Sequence, residues 1–363
     1  MKTVGIYVGP WSNREWDESD VENGMSGSET WAIEISKEFV KHGYEVFLYA
    51  IPHDEHDIVE NLHFLNFMNF KNDCSYMRYD YFISSRFSDV FQYPYLRCDN
   101  CYIMVHDNII NTPSSLPSFI GLGKIKGIFY LSDWHRDYLK LHHKSSGINF
   151  IPMYKVSNGF SNQYYQNIDL DNKENSMIWS SSLARGFELF VENVLDKIMK
   201  RHPDFQLYAC SGTNYEYDIQ LKNKFSNVRD NIHILQTLSK RELADFQKRS
   251  KVWVYPGTFQ ETFCITAVEQ CAAGNVAITP LSFGLKTTLK DIEYLNHFNL
   301  PILTEENSQI YADFVCRMLE DNNLRKIFAT ECINAANKFS WTRACEEIID
   351  IFNQTDINMI NRE

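Results

Sequence analysis

No apolar run in this sequence approaches the ~20 residues that a membrane-spanning helix needs, so any contact with a membrane is expected to be peripheral. No signal-peptide pattern is expected either, because Met1-Lys-Thr-Val-Gly5 enters directly into a short strand pattern. Positive charge is in deficit. The 35 Lys and Arg residues stand against 47 Asp and Glu, giving a formal charge of −12 and a pI near 5.4. That balance argues against a nucleic-acid partner, which needs a basic footprint, and gives no help to broad docking on anionic lipid. A local basic face stays open. Cys98-x-x-Cys101 has no second CxxC and no His at metal spacing, so packing is expected there rather than zinc or redox chemistry. The nine cysteines are odd in number and irregularly spaced, as reduced thiols of a cytoplasmic protein would be. No G-x-G-x-x-G follows the first strand pattern, which argues against a dinucleotide-dependent oxidoreductase. Heptads, low-complexity tracts and short-period repeats are absent as well.

What remains is a folded α/β chain. Its 363 residues, 44% of them hydrophobic, exceed the ~250–300 over which one core usually grows, so two domains are expected. The most informative stretch runs from Val252 to Gly274. An apolar run from Val252 to Tyr255 reads as a buried strand, Pro256-Gly257 stops it, and a helical pattern runs from about Thr262 to Gly274. Glu261 and Glu269 bracket the helix start, on the order of 12 Å apart at ~1.5 Å per residue. The carboxylates of a retaining glycosidase stand only ~5–5.5 Å apart, so this pair does not flank one scissile bond. The spacing suits a longer ligand, with an acid at each end and helix N–H groups aimed at phosphates between them, which is the layout of a nucleotide diphosphate sugar.

The run from Glu261 to Glu269, followed by Gln-Cys-Ala-Ala-Gly274, resembles the Glu-x7-Glu motif of the family 4 retaining glycosyltransferases, the group 1 enzymes of GT-B fold. The resemblance implies two Rossmann-like domains facing across a cleft. It places an N-terminal acceptor domain at 1–165, a nucleotide-sugar domain at 166–340 and a C-terminal helix at 341–363 that returns to the first domain. Residues 24–50 add to it, because Gly24-Met-Ser-Gly27-Ser-Glu-Thr resembles the Gly-Gly-Ser-Glu-Thr opening of many such N-terminal domains. There the helix start, here Gly27, closes over the donor phosphates. Val156-Ser-Asn-Gly159 resembles the Pro-Asn-Gly turn that closes that domain, with 161–175 as linker.

The same resemblance assigns roles. Glu261 would hold sugar hydroxyls and Glu269 the ribose. Arg185 and the helix start near Phe263 and Cys264 would neutralise the diphosphate. His106, at the end of the strand pattern Cys101–Val105, would orient the sugar, and Arg86, ending the preceding strand, is similarly placed. Relatives often carry an Arg and a Lys five residues apart, where this chain has Ser180 and Arg185, so one cation is missing. The loss of one charge-assisted contact, ~1.5–3 kcal/mol, would lower donor affinity about one to two orders of magnitude unless something replaces it. Relatives also often carry a Glu where Lys286-Thr-Thr288 stands.

The implied reaction is retaining and needs no metal or other cofactor, the nucleotide sugar being a co-substrate. A UDP-sugar is favoured, a GDP-sugar is the alternative, and the acceptor is a hydroxyl of a glycan, lipid or other molecule. Two other readings stand beside it: an inverting or epimerising GT-B relative with His106 or Asp107 as base, and an inactive nucleotide-binding subunit of a glycan-assembly complex. Three further expectations concern local structure. Residues 11–25 read as a polar, acidic loop, a helix after Ser132 should bury Trp134, Tyr138 and Leu141, and the tail from Gln309 to Phe352 should be two helical pieces parted at Phe339-Ser-Trp341.

Overall fold

A computed structural model of the chain describes residues 1–11, 14–111, 123–210, 216–226 and 229–360. The chain divides into two compact units. Unit 1 comprises Met1–Val21, Met25–Gly159 and Trp341–Glu363, and unit 2 comprises Glu22–Gly24 and Phe160–Ser340. The border falls between Gly159 and Phe160, ahead of the 165/166 border drawn from the sequence.

Unit 1 is built on one eight-stranded sheet. Its strands are β1 (Lys2–Tyr7), β2 (Tyr44–Ala50), β3 (His56–Val59), β4 (Leu62–Asn66), β5 (Tyr81–Ser85), β6 (Cys101–Met104), β7 (Ile125–Tyr130) and β8 (Met153–Lys155). Their order is β3-β4-β2-β1-β5-β6-β7-β8, parallel throughout except for the β3-β4 pair. Parallel strands covered on both faces must be apolar along their whole length, and β5 and β6 are buried at every position. The helix Gly27–Lys41 joins β1 to β2, with Ser26 in extended conformation at its N-cap and Gly43 (φ +83°) just beyond its end.

The C-terminal helix Trp341–Ile360 is part of this unit because its apolar face finds the sheet. Phe352 stacks on Tyr81 with ring centroids 3.9 Å apart, and Tyr102 Oη donates to Thr355 Oγ1 at 2.9 Å. Asp356 accepts from Lys2 Nζ at 2.9 Å and from Tyr81 Oη at 2.6 Å. Upstream, Glu347 accepts from both the amide (2.7 Å) and the hydroxyl (2.9 Å) of Ser157.

Unit 2 carries β9 (Ser176–Trp179), β10 (Gln206–Cys210) and β11 (Ile232–Leu235) in the order β11-β10-β9, and a parallel pair, β12 (Val252–Val254) with β13 (Val276–Ile278). A parallel bridge between Glu174 and Ser250 and a hydrogen bond from Lys251 N to Ser176 O at 3.1 Å set β12 beside β9. Lys173, buried, donates to the carbonyls of Lys248, Ser250 and Ala273 at 2.8–2.9 Å, so one ammonium serves the carbonyl ends of two helices.

Four local expectations are corrected. The acidic stretch 11–25 is not all loop: Asp17 accepts from the amides of Ser19 and Asp20 and so starts a short helix, Glu18–Glu22, while Ser12 and Asn13 lie outside the described residues. The helix Asp133–His142 buries His135 and Leu139, and Leu141 is 71% exposed. Its apolar positions suited more than one face, and Trp134 and Tyr138 instead pack on each other at 5.2 Å. The tail forms three helices, Ser308–Glu320, Asn322–Ala336 and Trp341–Ile360, because Asp321 caps the second through Leu324 N at 2.9 Å. The helix after β12 spans Ile265–Ala272, later than the Thr262 start read from the pattern.

All nine cysteines are free and buried, Cys98 and Cys101 among them. No helix among the described residues is long and apolar enough to cross a membrane.

Candidate active site

In a doubly wound sheet, ligands gather outside the carboxyl ends of the strands where chain order reverses. In unit 2 that point lies between β9 and β12, and the segments leaving them carry Arg185 and Glu261. The turn Leu183–Arg185 ends at Gly186, whose φ of +105° is strained for any side chain and where a Cβ would meet Thr258 Oγ1 at 2.9 Å. Arg185 thereby points back across the switch point. Its Nη1 lies 2.7 Å from Glu261 Oε1, and its guanidinium covers the Phe259 ring at 4.1 Å. Glu261 is 5% exposed and also accepts from Tyr255 Oη at 2.5 Å. Burial opposes the Arg185 charge, but Glu261, with Tyr255 and Cys264 behind it, together holds the guanidinium above its ordinary pKa. Burial, then Glu261, pushes the Tyr255 phenol well up, which keeps it a donor.

Behind this pair the backbone is bent into uncommon conformations. Cys264 caps the helix Ile265–Ala272 at φ +73°, and Phe283 stands at φ +51° in the turn that packs on the loop. Gly284 N donates to Glu261 O at 2.8 Å, so the two backbones meet there, and a Cβ on Gly284 would lie 2.4 Å from Thr262 O. Thr288 Oγ1 completes the contact by donating to Phe263 O at 2.6 Å. Apart from asparagines, which tolerate the left-handed region, the described non-glycine residues at positive φ are Arg86, Cys264 and Phe283. Strain of this kind collects at functional sites, and all three lie beside the ends of strands singled out here.

The predicted residues of unit 2 separate into two groups. Arg185 and Glu261 meet directly, whereas Phe263 and Cys264 are buried, with the Phe263 ring edge-on to Phe339 at 5.3 Å. These two can offer a ligand only backbone. Glu269 sits midway along the helix, and burial raises its pKa to about 6 against the pull of Lys240. Ser180, where the family resemblance leads to the expectation of a cation, accepts from the neutral amides of Gln270 (3.4 Å) and Gln247 (3.5 Å).

In unit 1 the reversal lies between β1 and β5. Arg86, at φ +71° just past β5, donates through Nε to Asp107 Oδ2 at 2.7 Å and covers the Trp11 ring at 4.1 Å. His106 follows β6, buried, with the Trp31 ring 4.9 Å away. Burial, aided by the Arg86 charge, drives the His106 pKa well below its ordinary value, so the imidazole is neutral. Neighbouring His135 is brought down to about 4 by burial, with Nδ1 accepting from Leu131 N and Nε2 donating to Asp107 O. Gly27, exposed, opens the helix Gly27–Lys41, where Glu29 accepts from the hydroxyls of Ser26 and Ser28.

Sequence reasoning missed Tyr255, Phe259 and Trp11. Tyr255 directly follows β12, and the strand-end rule applied to His106 would have found it. Among the described residues, Asp17, Asp20 and His53 bring metal-ligand atoms within 4.8 Å of one another. Asp17 is already a helix cap and Asp20 pairs with His53 at 3.0 Å, which accounts for the cluster without an ion.

Comparison with solved structures decides the architecture. A glycosyltransferase from Rickettsia africae superposes at a TM-score of 0.72 and 14% identity, over 97% of this chain and 98% of that one. The fold is GT-B. An Anabaena protein, HepE, solved with UDP-glucose, aligns at a TM-score of 0.66 and 12% identity over 98% and 100% of the two chains. Residues 163–336, within unit 2 of the GT-B fold, match the family model "Glycosyl transferases group 1". A D-inositol 3-phosphate glycosyltransferase of Xylanimonas cellulosilytica is 25% identical over 127 residues, which cover 35% of this chain and 29% of the relative. The chain thus spans less than a third of that relative's length.

Proposed function

We propose that the chain is a retaining, metal-independent glycosyltransferase that moves a sugar from a nucleotide diphosphate sugar to a hydroxyl of a glycan, lipid or other acceptor. The observation that carries this reading is the contact of Arg185, Glu261 and Tyr255 at the switch point of unit 2. A cation and an anion in contact there suit a ligand that carries diphosphate and hydroxyls side by side.

Arg185 and the helix start at Cys264 would neutralise the diphosphate as it leaves, with Gly27 assigned the same charge. Glu261 would accept hydrogen bonds from sugar hydroxyls, Glu269 from the ribose, and His106 would orient the sugar as a neutral imidazole. The acceptor oxygen bonds to the anomeric carbon on the face from which the diphosphate departs. The bond from carbon to diphosphate oxygen breaks, and that oxygen takes the acceptor's proton, so configuration is kept without a protein nucleophile. A UDP-sugar is favoured over a GDP-sugar, in keeping with the ligand of the Anabaena neighbour.

The inverting reading requires a base. A histidine whose charged form is as disfavoured as that of His106 accepts a proton poorly, which supports retention. The test is to screen nucleotide sugars by thermal shift and donor hydrolysis, then to read the anomeric configuration of the product. Retention is expected, inversion would replace this mechanism, and binding without hydrolysis or transfer would favour an inactive subunit. In Arg185→Ala, affinity for nucleoside diphosphate should fall about 10–100-fold and affinity for nucleoside should hold.

A further inference from the structure

At the amino ends of β5, β6 and β7, opposite the strand ends that carry Arg86 and His106, unit 1 holds a cavity of about 580 Å³. Arg78, Arg97, Lys124 and Lys126 line it, with Leu96 as an apolar wall and Asp99 as the one carboxylate among the described lining residues. Arg78 and Arg97 are brought side by side by a parallel bridge ahead of β5 and β6, and Lys124 and Lys126 flank the first residue of β7. The five residues of β5, at ~3.3 Å each, set the cavity on the order of 17 Å from the Arg86 end.

The charge balance of this cavity runs against that of the chain. Asp99 pairs with Arg78 at 3.4 Å, while among the described residues Arg97, Lys124 and Lys126 form no ion pair. Among the described residues, Lys124 donates to the carbonyl of Phe91 (3.4 Å) and Lys126 to that of Gly123 (3.1 Å). Four cations around one concavity repel each other, and a chain of formal charge −12 has acids to spare for pairing with them. Left facing one volume, they make a focused positive field, and two guanidinium forks match the oxygens of phosphate.

We propose that this cavity is a second ligand site, for a molecule bearing two or more phosphate groups. The chemistry is shared by a soluble polyphosphorylated compound and by the headgroup of a lipid that carries two phosphates, and the volume falls within the range of small-molecule sites.

Two probes separate the sources: inorganic triphosphate titrated by calorimetry, and co-sedimentation with phosphatidylcholine vesicles made with and without cardiolipin, whose headgroup carries two phosphates. Each is applied to wild type, Arg97→Glu, Lys126→Glu and, as a control at the other site, Arg185→Ala. Triphosphate binding weakened roughly tenfold or more by both charge reversals and kept in Arg185→Ala supports the site with a soluble ligand. Vesicle binding that needs cardiolipin and is lost in the same two variants supports it with a lipid headgroup. The proposal is overturned if wild type binds neither probe, if both charge reversals bind as wild type does, or if only Arg185→Ala changes binding. Arg97 is exposed and Lys126 half-buried on β7, so each replacement changes charge, and a melting curve on each variant confirms that the fold is kept.

Discussion

Arg185 Nη1 lies 2.7 Å from Glu261 Oε1, although 76 positions separate the two residues in the chain. The arginine that would meet phosphate is thus held by the acid that would meet sugar. In Glu261→Ala, transfer should fall by roughly 100-fold or more, the scale of losing one preorganised polar contact to the reacting group. Arg185 survives in this variant, so nucleoside diphosphate affinity should stay within a few-fold of wild type. Turnover assays beside calorimetric titration check both halves, and wild-type turnover would refute the assigned role.

Tyr255 Oη donates to the same carboxylate oxygen. A hydrogen bond to a charged group is worth ~1.5–3 kcal/mol. Tyr255→Phe should therefore lower kcat by about tenfold or more while leaving nucleotide affinity unchanged, since Glu261 keeps Arg185 but loses its second anchor. Equal changes in kcat and nucleotide affinity would show that the phenol only supports the fold.

Glu269 gives a pH signature. Its pKa in the folded chain is about 6 against an ordinary 4.5, because burial disfavours the carboxylate. The folded state then holds the proton more tightly than the unfolded state, so this group's contribution falls as pH rises from 4.5 to 6, by roughly 2 kcal/mol. Ribose binding asks for the ionised form, so nucleotide affinity should fall as pH drops below 6. Chemical denaturation and nucleotide titration across that window, on wild type and Glu269→Gln, should show both trends flatten in the variant.

Gly284 has no room for a side chain, a Cβ there lying 2.4 Å from Thr262 O and 2.5 Å from Glu261 O. Both neighbours are backbone and cannot swing aside. Gly284→Ala should cost ~1–3 kcal/mol, as overpacking does, lowering the melting temperature by several degrees. It should also reduce activity by displacing Glu261. A melting curve and a transfer assay on the same sample check the two effects together.

The frame of the site was legible where local chemistry is strong. Pro256-Gly257 ends β12 because proline cannot continue the ladder, and glycine supplies the turn at φ +72°. The pairing of Arg185 with Glu261 was not legible, because no local pattern reports which strand end will stand beside another. The left-handed turn at Cys264 was invisible too, since cysteine carries no preference for that region, and so the helix start was drawn early. Leu141 failed for a different reason: in a ten-residue helix with aromatic, histidine and leucine positions on several sides, periodicity does not choose a single buried face.

Phe352 on Tyr81, and Asp356 on Lys2, join the tail of the chain to its first strands. A ribosome therefore releases β1 and β5 long before the helix that covers them, with the whole of unit 2 made in between. At ~5–20 residues per second the stretch from Tyr81 to Phe352 takes roughly 14–54 s, during which Tyr81 waits for the ring that covers it. Of these two units, the one begun earlier is completed later.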